Sequence, residues 1–461
     1  MRSPMFDQLR RIRFTELQLL ITALLFFASG YLLASLSGLG SDQQQTANDL
    51  LGLLWPSSLP ILLFVLISFI LSWRLPRADQ LILPLVAVLA GLGLLWNARL
   101  QDSYDILYGP DYYGNIASKQ ATFVLAGALL LLGMALAPLD RIFIRLQRMS
   151  FMDWLKNHRW IWIILGLALV AITLVAGEGP EGQDQRLWID LGPFNLQPSE
   201  LLKVILVIFL ASYLDEHREV MNEVPFRIGR LRLPPLPYLL PMVGMWGLTM
   251  GIIIIQRDLG AALLLFTLFL SMLYVATNKG WYVVTGLGAF AAGAFVLNRA
   301  ISRVAERVQL WLDPWSMANG YQPVQSAYAI SAGGVFGTGL GQGLPGYIPA
   351  AHTDYAFAGL AEELGIAGAI GLLIVYMLLM YRGYHIALSI NSRFRGFEQL
   401  MAIGLTSILA IQTFIIVGGN LRVIPLTGIT LPFISYGGSS VLINFLIIGL
   451  LLRISANAAR T

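Results

Sequence analysis

The stretch TFVLAGALLLLGMALAPL, residues 122–139, runs for 18 positions without a charged side chain. As an α-helix rising ~1.5 Å per residue it is about 27 Å long, close to the ~30 Å of a bilayer's hydrocarbon core. Eleven further apolar runs flank it, at 17–38, 51–73, 81–98, 160–177, 199–214, 235–255, 259–276, 280–298, 355–380, 399–418 and 433–456. Apolar residues make up 57% of the 461 positions and charged ones 12%, against ~25% in an ordinary soluble domain. The mean hydropathy is +0.70. So much apolar surface cannot hide behind so little charge in water, which excludes a soluble enzyme, a fibrous protein and a disordered chain. The expected fold is all-α: a polytopic integral membrane protein of about twelve transmembrane helices.

The first run follows Arg2, Arg10, Arg11 and Arg13, as in a signal peptide. It is longer than the 7–15 apolar residues of such a peptide, and eleven spans follow it, so it is read as retained. The balance of 30 basic and 26 acidic residues gives a net charge of +4. In this setting the basic residues mark cytoplasmic loops, and no nucleic-acid partner is expected. With the N-terminus cytoplasmic, twelve spans place 21 of the 30 basic residues inside and eight outside, with Lys203 within a span. Both termini are therefore expected in the cytoplasm. The absence of cysteine excludes disulfides, thiolate nucleophiles and Cys-ligated metals, and the four histidines show no metal-ligand spacing.

The large non-spanning segment, 299–353, is expected outside. Its Trp311, Trp315, Tyr321, Tyr328, Phe336 and Tyr347 suit a partly helical segment lying on or dipping into the membrane. A charge in the bilayer costs at least ~2.5–3.5 kcal/mol, so each needs a reason. Glu200 and Lys203 sit three apart, on one helical face, either as a self-neutralising pair or as the polar wall of an outward cavity. Adjacent Glu362 and Glu363 point about 100° apart, so at least one must face the protein interior. Lys203 and Arg257 are both open as partners. Arg257-Asp258 reads equally as a tight turn or as part of a site. Asp354, where the long loop meets the tenth span, is either a helix N-cap or a general base with water on one side and low dielectric on the other. The glycines at 333–343 lack the strand–turn–helix setting of a nucleotide loop. The segment 425–438 breaks the approach to the last span and is a second candidate wall of the same cavity.

These motifs, read together, resemble the SEDS family of FtsW, RodA and SpoVE. The resemblance runs from about Arg186 to Arg453. It rests on Arg186-Leu-Trp188-Ile, Gln197-Pro-Ser-Glu200-Leu-Leu-Lys203, Asp258-Leu-Gly260, Arg307, Asp313-Pro314, Gly320-Tyr-Gln322 and Gln325-Ser326. It continues through Gly333-Gly334, the glycines 337–341, His352-Thr353-Asp354, Glu362-Glu363-Leu-Gly365 and Leu431-Pro-Phe-Ile-Ser435-Tyr-Gly-Gly-Ser439-Ser440. Departures are Arg257 before Asp258, Ala350 and Tyr355 around the His-Thr-Asp run, and Gly418-Gly-Asn-Leu-Arg422. They point to a RodA-like subgroup with two extra N-terminal helices ahead of a ten-helix core. The implied division is 1–157, the first four helices with a cytoplasmic loop, and 158–461, the core carrying the extracytoplasmic loop 299–354.

The resemblance implies a peptidoglycan glycosyltransferase that polymerises lipid II at the outer face of the bacterial cytoplasmic membrane, in elongation and shape rather than division. It implies Asp354 as the catalytic base, undecaprenyl pyrophosphate as the leaving group and inversion at the sugar. Substrate contacts would come from Glu200, Lys203, Arg186, Arg257, Arg307, Gln325, His352, Thr353, Ser435 and Ser439. A divalent cation, Mg²⁺ or Mn²⁺, is expected, with Asp354 as a possible ligand. A class B penicillin-binding transpeptidase is the expected partner, beside membrane lipid. The rival readings are a lipid II flippase, which would favour paired broken helices in the two halves, and a scaffold. The sequence shows one break, at 425–438.

The absence of cysteine makes the topology directly testable. Ser150→Cys and Ser392→Cys should be shielded from an impermeant thiol reagent added to intact cells, whereas Gln342→Cys should react. External labelling at 150 or 392 would overturn the twelve-span arrangement.

Overall fold

In a computed structural model of the chain, the described residues are 13–37, 62–109, 112–179, 186–190, 192, 195–223, 226–228, 231–233 and 236–459. Arg2, Arg10, Arg11 and residues 51–61 of the second run lie outside them. Each of the twelve apolar runs falls on a helix. In chain order these are α1 (Phe14–Ser37), α2 (Leu62–Arg74), α3 (Ile82–Tyr108), α4 (Ile116–Leu136), short α5 (Leu139–Gln147) and α6 (Phe151–Asn157), then α7 (Arg159–Ala176), α8 (Pro198–Glu223), α9 (Leu236–Ile255), α10 (Leu259–Thr277) and α11 (Gly280–Ala300). The long loop supplies α12 (Ser302–Leu312) and α13 (Tyr321–Gly333), and α14 (Ala356–Ser389), α15 (Ser392–Asn420) and α16 (Gly438–Ala458) complete the chain. Among the described residues, strand is confined to two short antiparallel hairpins, Ile189–Asp190 with Asn195–Leu196 and Phe226–Ile228 with Leu231–Leu233. Among the described residues, eight helices are long and apolar enough to cross a membrane, three apolar helices are shorter, and α8 is uncharged from Val204 to Leu214 with its charges on either side of that stretch. The chain is a polytopic, all-helical membrane protein.

Two compact units divide it: 1–137, 306–382 and 412–461 in one, 138–305 and 383–411 in the other. This division by packing differs in kind from the expected division at residue 157 and does not test it.

In the first unit, α4 packs along α16, and α3 lies against α1 and α4. Gly127 makes the α4–α16 approach possible, because a Cβ there would collide with the Phe445 ring. Small residues let helix backbones close in where no hydrophobic drive operates between lipid-solvated helices. Beneath α3 lies a buried charge cluster. Arg13 pairs with Glu16 at 2.7 Å and donates to the carbonyls of Ala78, at 3.0 Å, and Asp79. Asp79 accepts Arg382 Nε at 2.9 Å and the N–H groups of Leu81 and Ile82, so it both caps α3 and neutralises a guanidinium. Arg13, counted above among the cytoplasmic loop charges, is thus a buried part of the first unit.

In the second unit, α8 packs against α7 and α10, with α9 and α11 beside α10. Asp258 Oδ1 accepts Ala261 N–H at 3.0 Å, and Arg257 adopts φ +61°. The pair therefore forms the turn between α9 and α10, with Asp258 as the N-cap.

The tenth span departs from a simple helix. Gly365, at φ 68° and ψ −175°, breaks α14. The freed backbone groups pair with the glycine-rich loop: Ile366 and Ala367 N–H bond to Gly334 and Val335 carbonyls, and Thr338 and Gly339 N–H bond to those of Glu362 and Glu363. A Cβ at Gly365 would collide with Gly337 N, so the loop threads through the break only because the residue is glycine.

Asp79→Ala should lower the unfolding free energy by ~3–5 kcal/mol, because it leaves the Arg382 guanidinium without its carboxylate. A thermal midpoint in detergent equal to that of the unsubstituted protein would show the pair to be dispensable.

Candidate active site

Asp354 lies in a turn immediately before α14, within the first unit. The backbone of this turn is fixed carbonyl by carbonyl. Trp96 Nε1, from α3, donates to Ala351 O at 3.0 Å. Tyr436 N donates to His352 O at 2.7 Å, and Ser435 Oγ to Thr353 O at 2.6 Å. Asn420 Nδ2, at the end of α15, donates to Asp354 O at 2.8 Å. Ahead of the turn, the Tyr104 hydroxyl lies 3.3 and 3.2 Å from the carbonyls of Ile348 and Pro349, and 3.2 Å from His352 Nδ1. The segment 425–438, read from sequence as a second wall, supplies two of these donors.

The two readings of Asp354 separate here. Asn420 Oδ1 accepts Ala358 N–H at 3.1 Å and so caps the first turn of α14. The Asp354 carboxylate faces elsewhere, toward Gly428 and Arg307. A Cβ on Gly428, which has φ +74°, would lie 3.6 Å from Asp354 Oδ2 and 3.8 Å from Arg307 Nη2. Arg307, on α12, is itself held by Nη1 donating to Thr427 O at 3.0 Å. The same helix is pinned to the chain after α15, where Trp311 Nε1 donates to Arg422 O and Arg422 Nη2 returns a bond to Trp311 O, both at 2.8 Å. Thr427 Oγ1 is buried without a hydrogen-bond partner among the described residues.

Burial raises the Asp354 carboxyl to about 6, opposed by the charge of Arg307 and a hydrogen bond from Thr353. Burial likewise holds His352 down, at about 4, so the imidazole is neutral and structural at physiological pH. The result is a carboxylate ionised near neutrality yet basic enough to take a proton, the tuning a general base needs.

The structure brings Asp354, Arg307, His352, Thr353 and Ser435 together. Gln325, half-buried on α13, and Ser439, buried at the start of α16, belong to the same unit. Glu200, Lys203, Arg186 and Arg257 belong to the second unit. There Lys203, 2% exposed, pairs with Glu200 at 2.6 Å. Arg186 Nη1 donates to Leu174 and Val175 carbonyls at the C-terminal end of α7. Glu363 takes its partner from neither residue left open by the sequence: Arg99 Nε approaches it at 3.2 Å, while Arg99 Nη2 donates to Gly341 and Gly343 carbonyls. Trp96, Arg99, Tyr104 and Asn420 were not singled out from sequence. Their signal was the polar and aromatic cluster ending the third apolar run, and the side-chain amide closing the eleventh.

A family model described as cell cycle protein, FtsW/RodA/SpoVE, matches residues 79–460. The chain belongs to this family. Helices α1 and α2 precede the matched span. Among the family's curated members, the peptidoglycan glycosyltransferase RodA of Mycobacterium bovis is 39% identical over 388 residues, 84% of this chain and 79% of its own length. The stage V sporulation protein E of Bacillus subtilis is 34% identical, covering 64% and 80%. Among solved members, a chain from a peptidoglycan synthase complex that coordinates polymerisation and crosslinking superposes with a TM-score of 0.64 at 27% identity, covering 83% of this chain and 98% of that one. RodA of Thermus thermophilus gives 0.53 at 26%, covering 82% and 96%.

The raised carboxyl predicts a pH profile. With Asp354 acting as a base, which works in its ionised form, glycan polymerisation would rise with pH through about 6 and level above it. Arg307→Gln, which removes a charge that lowers this value, should move the midpoint higher. A midpoint near 4 in pH-dependent kcat/KM, as for an open carboxylate, would contradict the assignment.

Proposed function

We propose that this chain polymerises lipid II into glycan strands at the outer face of the bacterial cytoplasmic membrane, with Asp354 as the general base. The supporting observation is the clamped turn. Four backbone carbonyls are fixed and the helix cap is supplied by Asn420, so the Asp354 carboxylate is left to chemistry. Asp354 takes the proton from the 4-hydroxyl of an acceptor N-acetylglucosamine. The oxygen attacks C1 of a lipid-linked N-acetylmuramic acid, the C1–O bond breaks, and undecaprenyl pyrophosphate departs from the opposite face, inverting α to β. One carboxylate is enough, because a pyrophosphate leaves as an anion and needs no protonating acid. Arg307, beside the base, favours the ionised form of its carboxyl. A lipid pyrophosphate reaches such a site sideways from the bilayer.

Among the described residues no three His, Asp or Glu side chains come together, and the neighbour of Asp354 is a guanidinium. The expected Mg²⁺ or Mn²⁺ is therefore proposed as a companion of the substrate pyrophosphate, as Mg²⁺ often is, and no step is assigned to it. Glu200, Lys203, Arg186, Arg257, Gln325 and Ser439 rest as substrate contacts on the resemblance alone. A class B penicillin-binding transpeptidase as partner, cytoplasmic termini and a role in elongation belong to the same proposal. They are supported by the RodA-named relatives, the synthase-complex neighbour and the distribution of basic residues. Among the described residues, the breaks at Gly365, at Arg395 and between α15 and α16 all lie in the C-terminal half, which does not favour the paired broken helices of the flippase reading.

Asp354→Asn should leave the protein folded and lower polymerisation of lipid II by about 10²–10⁴, because an amide cannot take the hydroxyl proton. The assay is detergent-solubilised protein with Mg²⁺ or Mn²⁺ and products resolved by length. Polymer from the Asn variant at near the original rate would remove Asp354 as the base.

A further inference from the structure

The end of α3 and the residues after it read Tyr104-Asp-Ile-Leu-Tyr108-Gly-Pro-Asp-Tyr112-Tyr113, and the four tyrosines form a connected aromatic cluster that the proton chemistry does not use. Tyr108 and Tyr112 stack at 5.3 Å with their planes 23° apart, and Tyr104 and Tyr113 lie 4.5 Å apart. The stack runs inward in short steps. Tyr112 to Tyr113 is 4.9 Å, Tyr113 to His352 is 5.1 Å, and His352 to Tyr436 is 5.9 Å between ring centroids. His352 lies two positions from Asp354, and Tyr436 belongs to the loop that clamps the turn. At the other end Tyr112 is 66% exposed and Tyr108 37%. Half-exposed Tyr321, from α13, is close enough to Tyr108 to interact with it electrostatically.

We infer that Tyr108 and Tyr112, continued inward by Tyr113, are a saccharide-stacking subsite that holds the growing glycan strand beside Asp354. The inference deepens the glycosyltransferase reading and rests on it. An aromatic face is electron-rich and apolar, whereas its hydroxyl edge is polar. That combination fits a pyranose ring, whose C–H face is apolar and slightly electropositive and whose rim is hydroxyl. Exposed Asp102 and half-buried Asp105, on the same last turns of α3, add carboxylate acceptors for those hydroxyls. Single tyrosines anchoring a membrane interface spread around a helix bundle at headgroup level. These rings touch one another, face to face between Tyr108 and Tyr112 and edge to face between Tyr112 and Tyr113, and lead to the candidate base, which a lipid anchor does not require. A strand kept on the stack after each condensation presents its end again without diffusing away, so the next addition is effectively intramolecular.

The test compares Tyr112→Ala and Tyr112→Trp in the full-length detergent-solubilised protein, reading both the rate of the first condensation of lipid II and the strand-length distribution. Tyr112→Ala should leave the first condensation unchanged and shorten strands about threefold to tenfold, the loss of one stacking contact, and Tyr112→Trp should restore them. Titration of the unsubstituted protein with a soluble GlcNAc–MurNAc tetrasaccharide should show binding that Tyr112→Ala weakens by a similar factor. Unchanged strand length and unchanged tetrasaccharide binding in Tyr112→Ala would overturn the subsite. So would a fall in the first condensation equal to the fall in length, or a loss confined to thermal stability in lipid nanodiscs. No polymer from the unsubstituted protein would instead overturn the glycosyltransferase reading, a separate result.

Discussion

Four successive carbonyl oxygens, from Ala351 to Asp354, each accept a hydrogen bond from a different donor, and the direction of the Asp354 carboxylate depends on that clamp. In an α-helix these carbonyls would pair along the chain. In an irregular turn in low dielectric, each would cost a few kcal/mol if left unpaired. The donors come from α3, from the 431–436 loop and from the end of α15, so the turn is specified by three elements at once. The same constraint explains why the loop between α15 and α16 is not helical. It must offer Tyr436 N–H and the Ser435 hydroxyl outward, while its own carbonyls are taken by Asn97 and Gln120 from α3 and α4.

The break in α14 follows similar rules. A helix interrupted among apolar neighbours exposes polar backbone, and here residues 334–339 supply the missing partners. Arg99 then ties the loop down. It spans Glu363 and the carbonyls of Gly341 and Gly343, while Glu363 and Glu362 carboxylates accept the N–H groups of Gly341 and Leu344. Two adjacent acids in a membrane helix are thus used as backbone acceptors for a loop, with one guanidinium shared between them and the loop. Trp96, Arg99 and Tyr104 lie along one side of α3, so a single helix face positions both the glycine-rich loop and the turn bearing Asp354.

A buried charge pair is weak evidence for stability, because desolvation offsets most of the attraction, but removing one partner is costly. The Arg13–Glu16 and Asp79–Arg382 pairs and the Arg99–Glu363 pair all join segments far apart in sequence or helices to their own caps. Their effect is on which arrangement is allowed, since any mispairing of these helices leaves a bare charge in an apolar setting.

The periodic features of the fold were legible in the sequence because they are local. An apolar run of about 20 residues has one low-energy state in lipid, a helix, and the described part of each run is largely helical. The basic residues carried a reading of topology, and the His-Thr-Asp motif with the 431–440 run carried the family. The sequence also marked Asp354, yet it left cap and base open, since both ask for a carboxylate at a helix start. Asn420, 66 positions from Asp354, accepts the Ala358 N–H at the start of α14, and only the tertiary structure shows it there. The partner of Glu363 was likewise out of reach, since Arg99 is 264 positions distant. The break at Gly365 gave no signal, because a glycine in an apolar run reads as tolerated helix until a second strand of backbone is seen threading through it. Local sequence determines which segments are helices, since backbone hydrogen bonds close within four residues. Which polar group faces which is settled only by tertiary structure, because in a low-dielectric interior each polar atom takes the partner that packing brings to it.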